Sequence, residues 1–456
     1  MRRLRTLLGL CLLLALAGPS GAQSPAPRLV EESFRLDPGP LDFIRGEGLE
    51  QFMLQALAGD ALVGLDVAGR PVPRLAATWT LRGHALRFRL RRDAVFTDGH
   101  PVRAEDAVWT FRTLQVTPEA SPTKRAILAN VSVRLEGGDV VLEGAKPAAR
   151  LLIELARVPV AREGAPGVGS GPFAAVRAGT VWTLSARSHF LRPGIAGFRF
   201  RLLPDELGVF EALQKGWLHL GVPPHRRDLR PPPGYHEVRQ VVHAQVVLWS
   251  RRREVLSWMQ RWREDAFPQG FLGGAVRPSR GLWPETLGHP PMRLTAPLGD
   301  RPARLEVSYP ALDEMVQKAL MALRARAAKD GVTLELRPVE TALFFAQLGE
   351  RRFETACTVA LFDPHPWSVL DFVEPQAPMN FTGWTHPRLA AWLSRLETPE
   401  APAWRELQEA WAADPGALPL LDLTSILWVD DRLEVQPSPV GLYFTTPGPS
   451  GWRWLR

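Results

Sequence analysis

Cysteine is nearly missing from this chain. Two occur in 456 residues, Cys11 and Cys357. Cys11 falls in an N-terminal stretch with the marks of a removable export signal, which leaves one thiol in the mature protein. An intrachain disulfide framework and a thiolate metal cluster are therefore both excluded. The ten histidines are scattered, with no HxxxH or HExxH pair, so no zinc motif is present. A G-x-S-x-G nucleophile elbow is absent too, and no Ser or Cys has a visible activating partner nearby in sequence. The N-terminal apolar run is about half as long as a bilayer-spanning helix requires, and no second membrane segment is present. Internal repeats and coiled-coil heptads are also lacking.

What is present begins with that signal. Arg2, Arg3 and Arg5 form a basic start, Leu7 to Leu16 an apolar core, and Ser20-Gly21-Ala22 a small-residue cleavage site. Cys11 lies inside the apolar core and follows Leu10, where lipidation needs a small residue. The twin Arg lacks the rest of a Tat motif. The expectation is Sec export, cleavage after Ala22, a mature start at Gln23, and a soluble periplasmic protein that is not a lipoprotein. The net charge is +7, with Arg far outnumbering Lys, but the arginines are spread along the whole chain. That pattern reads as a solvated surface, so no nucleic-acid partner is expected. Hydrophobic content of 45% is ordinary for a globular protein, and the mature chain is too long for one core.

The most informative stretch runs from Leu75 to Leu114. Leu86 to Leu90 alternates apolar and basic residues, the period of a strand with one wet face. Asp98-Gly99 is a turn dipeptide. Pro101 precedes Ala104-Glu105-Asp106, acidic residues suited to a helix's first turn, and Ala107, Phe111 and Leu114 share one face of that helix. Leu49 to Leu57 reads as another helix, with Leu49, Phe52, Met53 and Leu57 on one face. Val131 to Leu135 and Val140 to Leu142 read as a hairpin turning at Gly137-Gly138. Phe198 to Asp205, a helix from Glu206 to Lys215 and a strand near Leu218 suggest a parallel strand-helix-strand unit. Strands at 304–310, 332–336 and 355–362 alternate with helices whose faces include Leu312, Val316, Ala319 and Leu323. That order predicts a parallel α/β lobe with ligands beyond its carboxyl strand ends.

Ordered along the chain, these features resemble family 5 of the extracellular solute-binding proteins, the peptide- and nickel-type receptors of ABC importers. The matching residues are Leu75-Ala76, Trp79, Phe88, Leu90-Arg91, Val95-Phe96, Asp98-Gly99, Pro101, Ala104 and Asp106-Ala107-Val108. Further matches are Gly169-Ser170-Gly171-Pro172-Phe173, Asn380-Phe381-Thr382-Gly383-Trp384, and Leu418 to Leu421 with Ser425 to Val429. His84 and Arg103 depart from the pattern where an acidic-Gly turn and a capping Thr are usual. Ser257 to Arg263 retains only a degenerate remnant of the family's long helix.

The resemblance implies an α/β, two-lobed periplasmic binding protein-like fold of the class II or cluster C type, with a discontinuous first lobe and a hinge. Residues 24–233 would form lobe I, including an inserted subdomain at roughly 70–160. Residues 234–417 would form lobe II, and 418–456 would return to lobe I. It also implies a small ligand, first of all a peptide, with a metal chelate, sugar or other solute still open. An ABC permease would be the partner, and the receptor a monomer without cofactor or resident metal. Asp363 stands where peptide binders place the acid that pairs with the ligand's α-amino group; an Asp-Pro turn or helix cap would equally use an Asp. His365, Trp367, Phe34, Arg35 and Trp428 complete the candidate ligand-lining set. The rival readings are an exported hydrolase on an α/β scaffold and a regulatory protein carrying this domain.

Overall fold

Two strands much longer than the rest run side by side through the middle of the molecule, Tyr235–Ser250 and Ala417–Asp430. The computed structural model describes residues 28–67, 69–144, 146–187, 194–224, 226, 228–362, 365–375, 377, 379–396, 398, 401–436 and 451–455. The export signal, Cys11 and the mature start at Gln23 lie outside the described residues, as does Asp363.

The long strands pair antiparallel, Tyr235 opposite Asp430 at one end and Trp249 opposite Ala417 at the other. Their register slips between Val241 and Gln245 and again between Val246 and Val247, so the ladder bends there. On one side of the bend, Leu427 and Val429 enter a core with Val30, Phe34, Phe198, Trp452 and Trp454. On the other, Val246 to Trp249 and Leu418 to Leu421 enter a separate core with Leu305, Val316 and Trp411. The pair is thus shared between two lobes, and the C-terminal segment packs against the first strand, with Trp454 Nε1 donating to Arg28 O at 3.0 Å.

In the first lobe Leu29–Phe34 pairs parallel with Gly197–Leu202, and two antiparallel strands, Val181–Ala186 and Phe173–Ala178, extend that sheet. The stretch singled out in sequence builds a second, four-stranded antiparallel sheet from 76–82, 85–90, 139–144 and 131–136. Leu86 and Phe88 point into its core against Phe111 of helix Ala104–Val116, as the alternation predicts. Asp106 Oδ2 accepts the Arg103 backbone N–H at 2.9 Å, so the helix start is capped without the expected Thr. Gly169 and Gly171 let two chain segments touch: a Cβ on Gly171 would sit 2.5 Å from Gly59 O.

The second lobe carries parallel strands Arg304–Pro310, Thr333–Val339 and Thr355–Leu361, in the order 355, 304, 333, beside the long strand 235–250. Buried Cys357 lies in the strand expected for it.

Several local expectations fail, each for a physical reason. Helix Leu49–Ala58 turns Met53, Leu54 and Leu57 inward and leaves Leu49 exposed. Its buried face also holds Gln51 and Gln55, whose amides donate to the carbonyls of Pro38, Pro40 and Asp42 and so tie down the loop before it. Leu312 is exposed, because the helix starts two residues later, capped by Asp313. The degenerate 257–263 stretch lies within a complete helix, Arg253–Ala266, whose Val255, Leu256, Met259 and Trp262 are fully buried. Burying each such side chain contributes about 1.5–3 kcal/mol, enough to hold the helix without the usual motif. Leu220–Gly221 does not complete a parallel unit with 197–202; it pairs antiparallel with the long return strand.

Candidate functional site in the cleft between the lobes

Parallel strands in each lobe end toward the other. After Phe34 and Leu202 come Arg35 and Glu206; after Pro310 come Asp313 and Glu314. In sheets of this kind the crevice beyond the carboxyl ends is where ligands sit. Lys318 reaches across, its Nζ 3.8 Å from Glu206 Oε2 and 3.0 Å from Glu314 Oε2 on its own helix. Glu206 is 8% exposed. Burial first, and then the charge of Glu314, push its pKa up, while the Lys318 hydrogen bond holds Glu314 down. Arg35 donates through Nε to Pro204 O at 3.1 Å and its charge steadies the ionised forms of Glu206, Glu314 and Asp313.

A second bridge is more deeply buried. Arg150, 3% exposed, belongs to helix Ala148–Glu154, whose Ala148, Leu151 and Leu152 share a core with Leu86, Phe88 and Phe111. It donates through Nε to Glu154 at 2.7 Å and reaches over to Glu374 of the second lobe, Nη1 and Nη2 at 2.6 and 3.1 Å from its two oxygens. This fork is the geometry in which guanidinium and carboxylate bind best. Lys146 adds a third contact, 3.1 Å from Glu154 Oε2. Burial alone would raise the Glu154 pKa, but the charges of Arg150, Lys146 and His365 outweigh it and hold the carboxyl below its usual range. Ile153 packs against the second lobe's core beside this bridge.

The candidates read from sequence divide. Arg35 and His365 lie at the cleft, His365 4% exposed and within electrostatic reach of Glu154. Trp367 points into the second lobe's core and donates through Nε1 to Leu396 O at 2.7 Å. Phe34 is a core side chain, stacked on Phe200 at 4.3 Å. Trp428, 2% exposed, packs under helix Glu206–Gln214 against Val209, Leu213 and Leu218. Asn380 is structural: its amide donates to the carbonyls of Glu374 and Trp384 and accepts from the Trp384 N–H.

Arg150, Glu154, Glu206, Lys318 and Glu374 were not singled out in sequence. Arg150 and Glu154 did carry a signal, a charged pair four apart on an otherwise apolar helix, AARLLIE. For the cross-lobe partners the chain offers none, because 224 residues separate Arg150 from Glu374.

Two lobes, a cleft at their strand ends and a pair of crossing strands make up a periplasmic binding protein-like fold. Residues 70–230 match the family described as bacterial extracellular solute-binding proteins, family 5 middle. The periplasmic oligopeptide-binding protein OppA of Escherichia coli is 31% identical over 108 residues, a match spanning 24% of this chain and 19% of OppA's own length. The oligopeptide-binding protein AppA of Bacillus subtilis, solved with a nonapeptide, superposes over 94% of this chain and all of its own, with a TM-score of 0.80 at 13% identity. NikZ of Campylobacter jejuni, solved with Ni(L-His), covers 94% of this chain and 99% of its own, with a TM-score of 0.75 at 12% identity. Over residues 70–230 the chain is thus similar to family 5 of the extracellular solute-binding proteins, and over nearly its whole length it shares the fold of these solved structures. Among the described residues no helix is long and apolar enough to cross a membrane.

Proposed function

We propose that this protein is an exported receptor of an ABC importer that takes up a small ligand, most naturally a peptide, between its lobes and delivers it to a membrane permease. The observation that carries the reading is the buried Arg150–Glu374 fork joining opposite lobes across the cleft. Such a contact forms only when the lobes close, so it marks one state of a two-state hinge whose populations a ligand shifts by its differential affinity. The bend in the long strands at 241–247 is the proposed hinge, with 24–233 and 418–456 moving as lobe I against 234–417.

In this reading Asp363, Arg35 and His365 face the ligand, and Phe34, Trp367 and Trp428 support the walls from behind. The protein acts as a monomer after Sec export, without a lipid anchor, and performs no chemical step on its cargo. Titration calorimetry with di- to nonapeptides and nickel–histidine, paired with small-angle scattering, tests it. A bound member of the panel should shrink the radius of gyration; binding without closure, or turnover of the ligand, would refute it. If the ligand carries an α-ammonium group, Asp363→Asn should weaken it roughly thirtyfold or more, as expected from about 2–5 kcal/mol for truncating a buried charge pair.

A further inference from the structure

Beside the slip in register of the long strands lies a cavity of about 170 Å³. Ala244 and Thr424, one from each strand, form part of its floor, and Arg277, Asp422, Glu285 and Thr286 contribute its polar lining. The two carboxylates differ in kind. Asp422 is fully engaged: it accepts from Gln245 Nε2 at 2.8 Å and Ser279 Oγ at 2.6 Å and pairs with Arg277 Nε at 3.3 Å. The buried guanidinium of Arg263 adds a further positive field at Asp422.

Glu285 has no such company. Its Oε1 is sealed from solvent and accepts no hydrogen bond, and Arg277, the cation that shares the lining, pairs with Asp422. A buried carboxylate oxygen without a donor is costly, and a donor that also brings positive charge relieves the most. Apolar Val242, Pro284 and Leu423 complete the lining, suited to an alkyl stem. The Thr286 hydroxyl is already placed by His243 Nδ1 at 2.8 Å.

We propose that this cavity is a ligand subsite for a nitrogen cation on an alkyl stem, with the Glu285 carboxylate as its ion partner and Thr286 and Thr424 at its rim. The proposal rests on the reading that a small ligand lies between the lobes, and it narrows that ligand to one with a lysine- or arginine-like group. Because both crossing strands line the subsite, a group seated there touches the hinge itself.

The test uses the mature protein and Glu285→Gln, with thermal melts as a folding control. Calorimetry compares Ala-Lys-Ala, Ala-Arg-Ala and the uncharged Ala-norleucine-Ala. In parallel, n-butylamine and n-butanol are titrated while the backbone amides of Thr286 and Thr424 are followed by NMR. Wild type should bind a cationic peptide at least tenfold tighter than the norleucine peptide, Glu285→Gln should erase that difference, and only the amine should move the two amides. Equal affinities for all three peptides would overturn the subsite while leaving the receptor reading intact. A cation preference that survives in Glu285→Gln would overturn the role of Glu285. If no peptide binds, amine shifts seen in wild type and lost in the variant still uphold the subsite and retire the peptide reading; their absence overturns the subsite.

Discussion

Glu374→Gln isolates the cross-lobe half of the Arg150 bridge. Glutamine keeps the length and one acceptor oxygen, so the substitution removes charge and little else. Arg150 retains Glu154, which lies on its own helix, so the fold around that helix should survive. Hydrogen bonds to charged groups contribute about 1.5–3 kcal/mol, against about 0.5–1.5 for neutral ones. Two such bonds are weakened here, but the Glu374 side chain is 21% exposed and partly screened. A net loss of about 1.5 kcal/mol from the closed state follows, which is roughly tenfold in the open-to-closed ratio. Paired spin labels at Val116 and Met321, exposed on helices of opposite lobes, read that ratio as a distance distribution. Among the described residues the only cysteine, Cys357, is buried, so the two labelling cysteines can be introduced cleanly. The expected result is a tenfold gain in the long-distance population of unliganded protein with an unchanged melting temperature. An unchanged distribution would refute the latch, and an equal loss of stability would reassign Glu374 to the fold.

Arg150→Met should do more harm, about 3 kcal/mol of stability, because it leaves the buried Glu154 carboxylate with Lys146 alone; chemical denaturation checks this. The depressed pKa of Glu154 is a stability contribution present above its unfolded value of about 4.3 and lost as pH falls through the folded one. Glu154→Gln should therefore flatten the acid limb of the melting curve below about pH 4. His289 acts in the same direction at higher pH: burial lowers its pKa to about 4, so the unfolded chain binds the extra proton between about 4 and 6.5. Stability should rise with pH across that window by up to about 3 kcal/mol, and His289→Phe should remove the slope. Gly171→Ala should cost about 1–3 kcal/mol or more by thermal melt, since its Cβ meets rigid backbone at Gly59.

Much of this architecture was legible from local pattern. The alternation in Leu86 to Leu90 places Leu86 and Phe88 in the core, and the strand-helix order from 304 to 361 is the parallel part of the second lobe's mixed sheet. Helix 253–266 was legible only as a degenerate remnant, because burial, and not the family's motif, holds it. The cleft was less legible than the fold. Aromatic candidates such as Phe34, Trp367 and Trp428 look like ligand platforms in a string of letters, yet they are large apolar bodies that pack cores. The groups that do meet across the cleft, Arg150 with Glu374 and Glu206 with Lys318, acquire their meaning from lobe placement. No spacing along the chain encodes that placement.

Whether this protein captures a solute is read most directly by native mass spectrometry of protein purified under non-denaturing conditions from its own host. One stoichiometric small-molecule adduct, recovered chemically unchanged on release and restoring closure when added back to stripped protein, is the expected result. A chemically altered product, or protein that carries no adduct and closes on none of the compounds in its host's extract, would contradict the receptor reading.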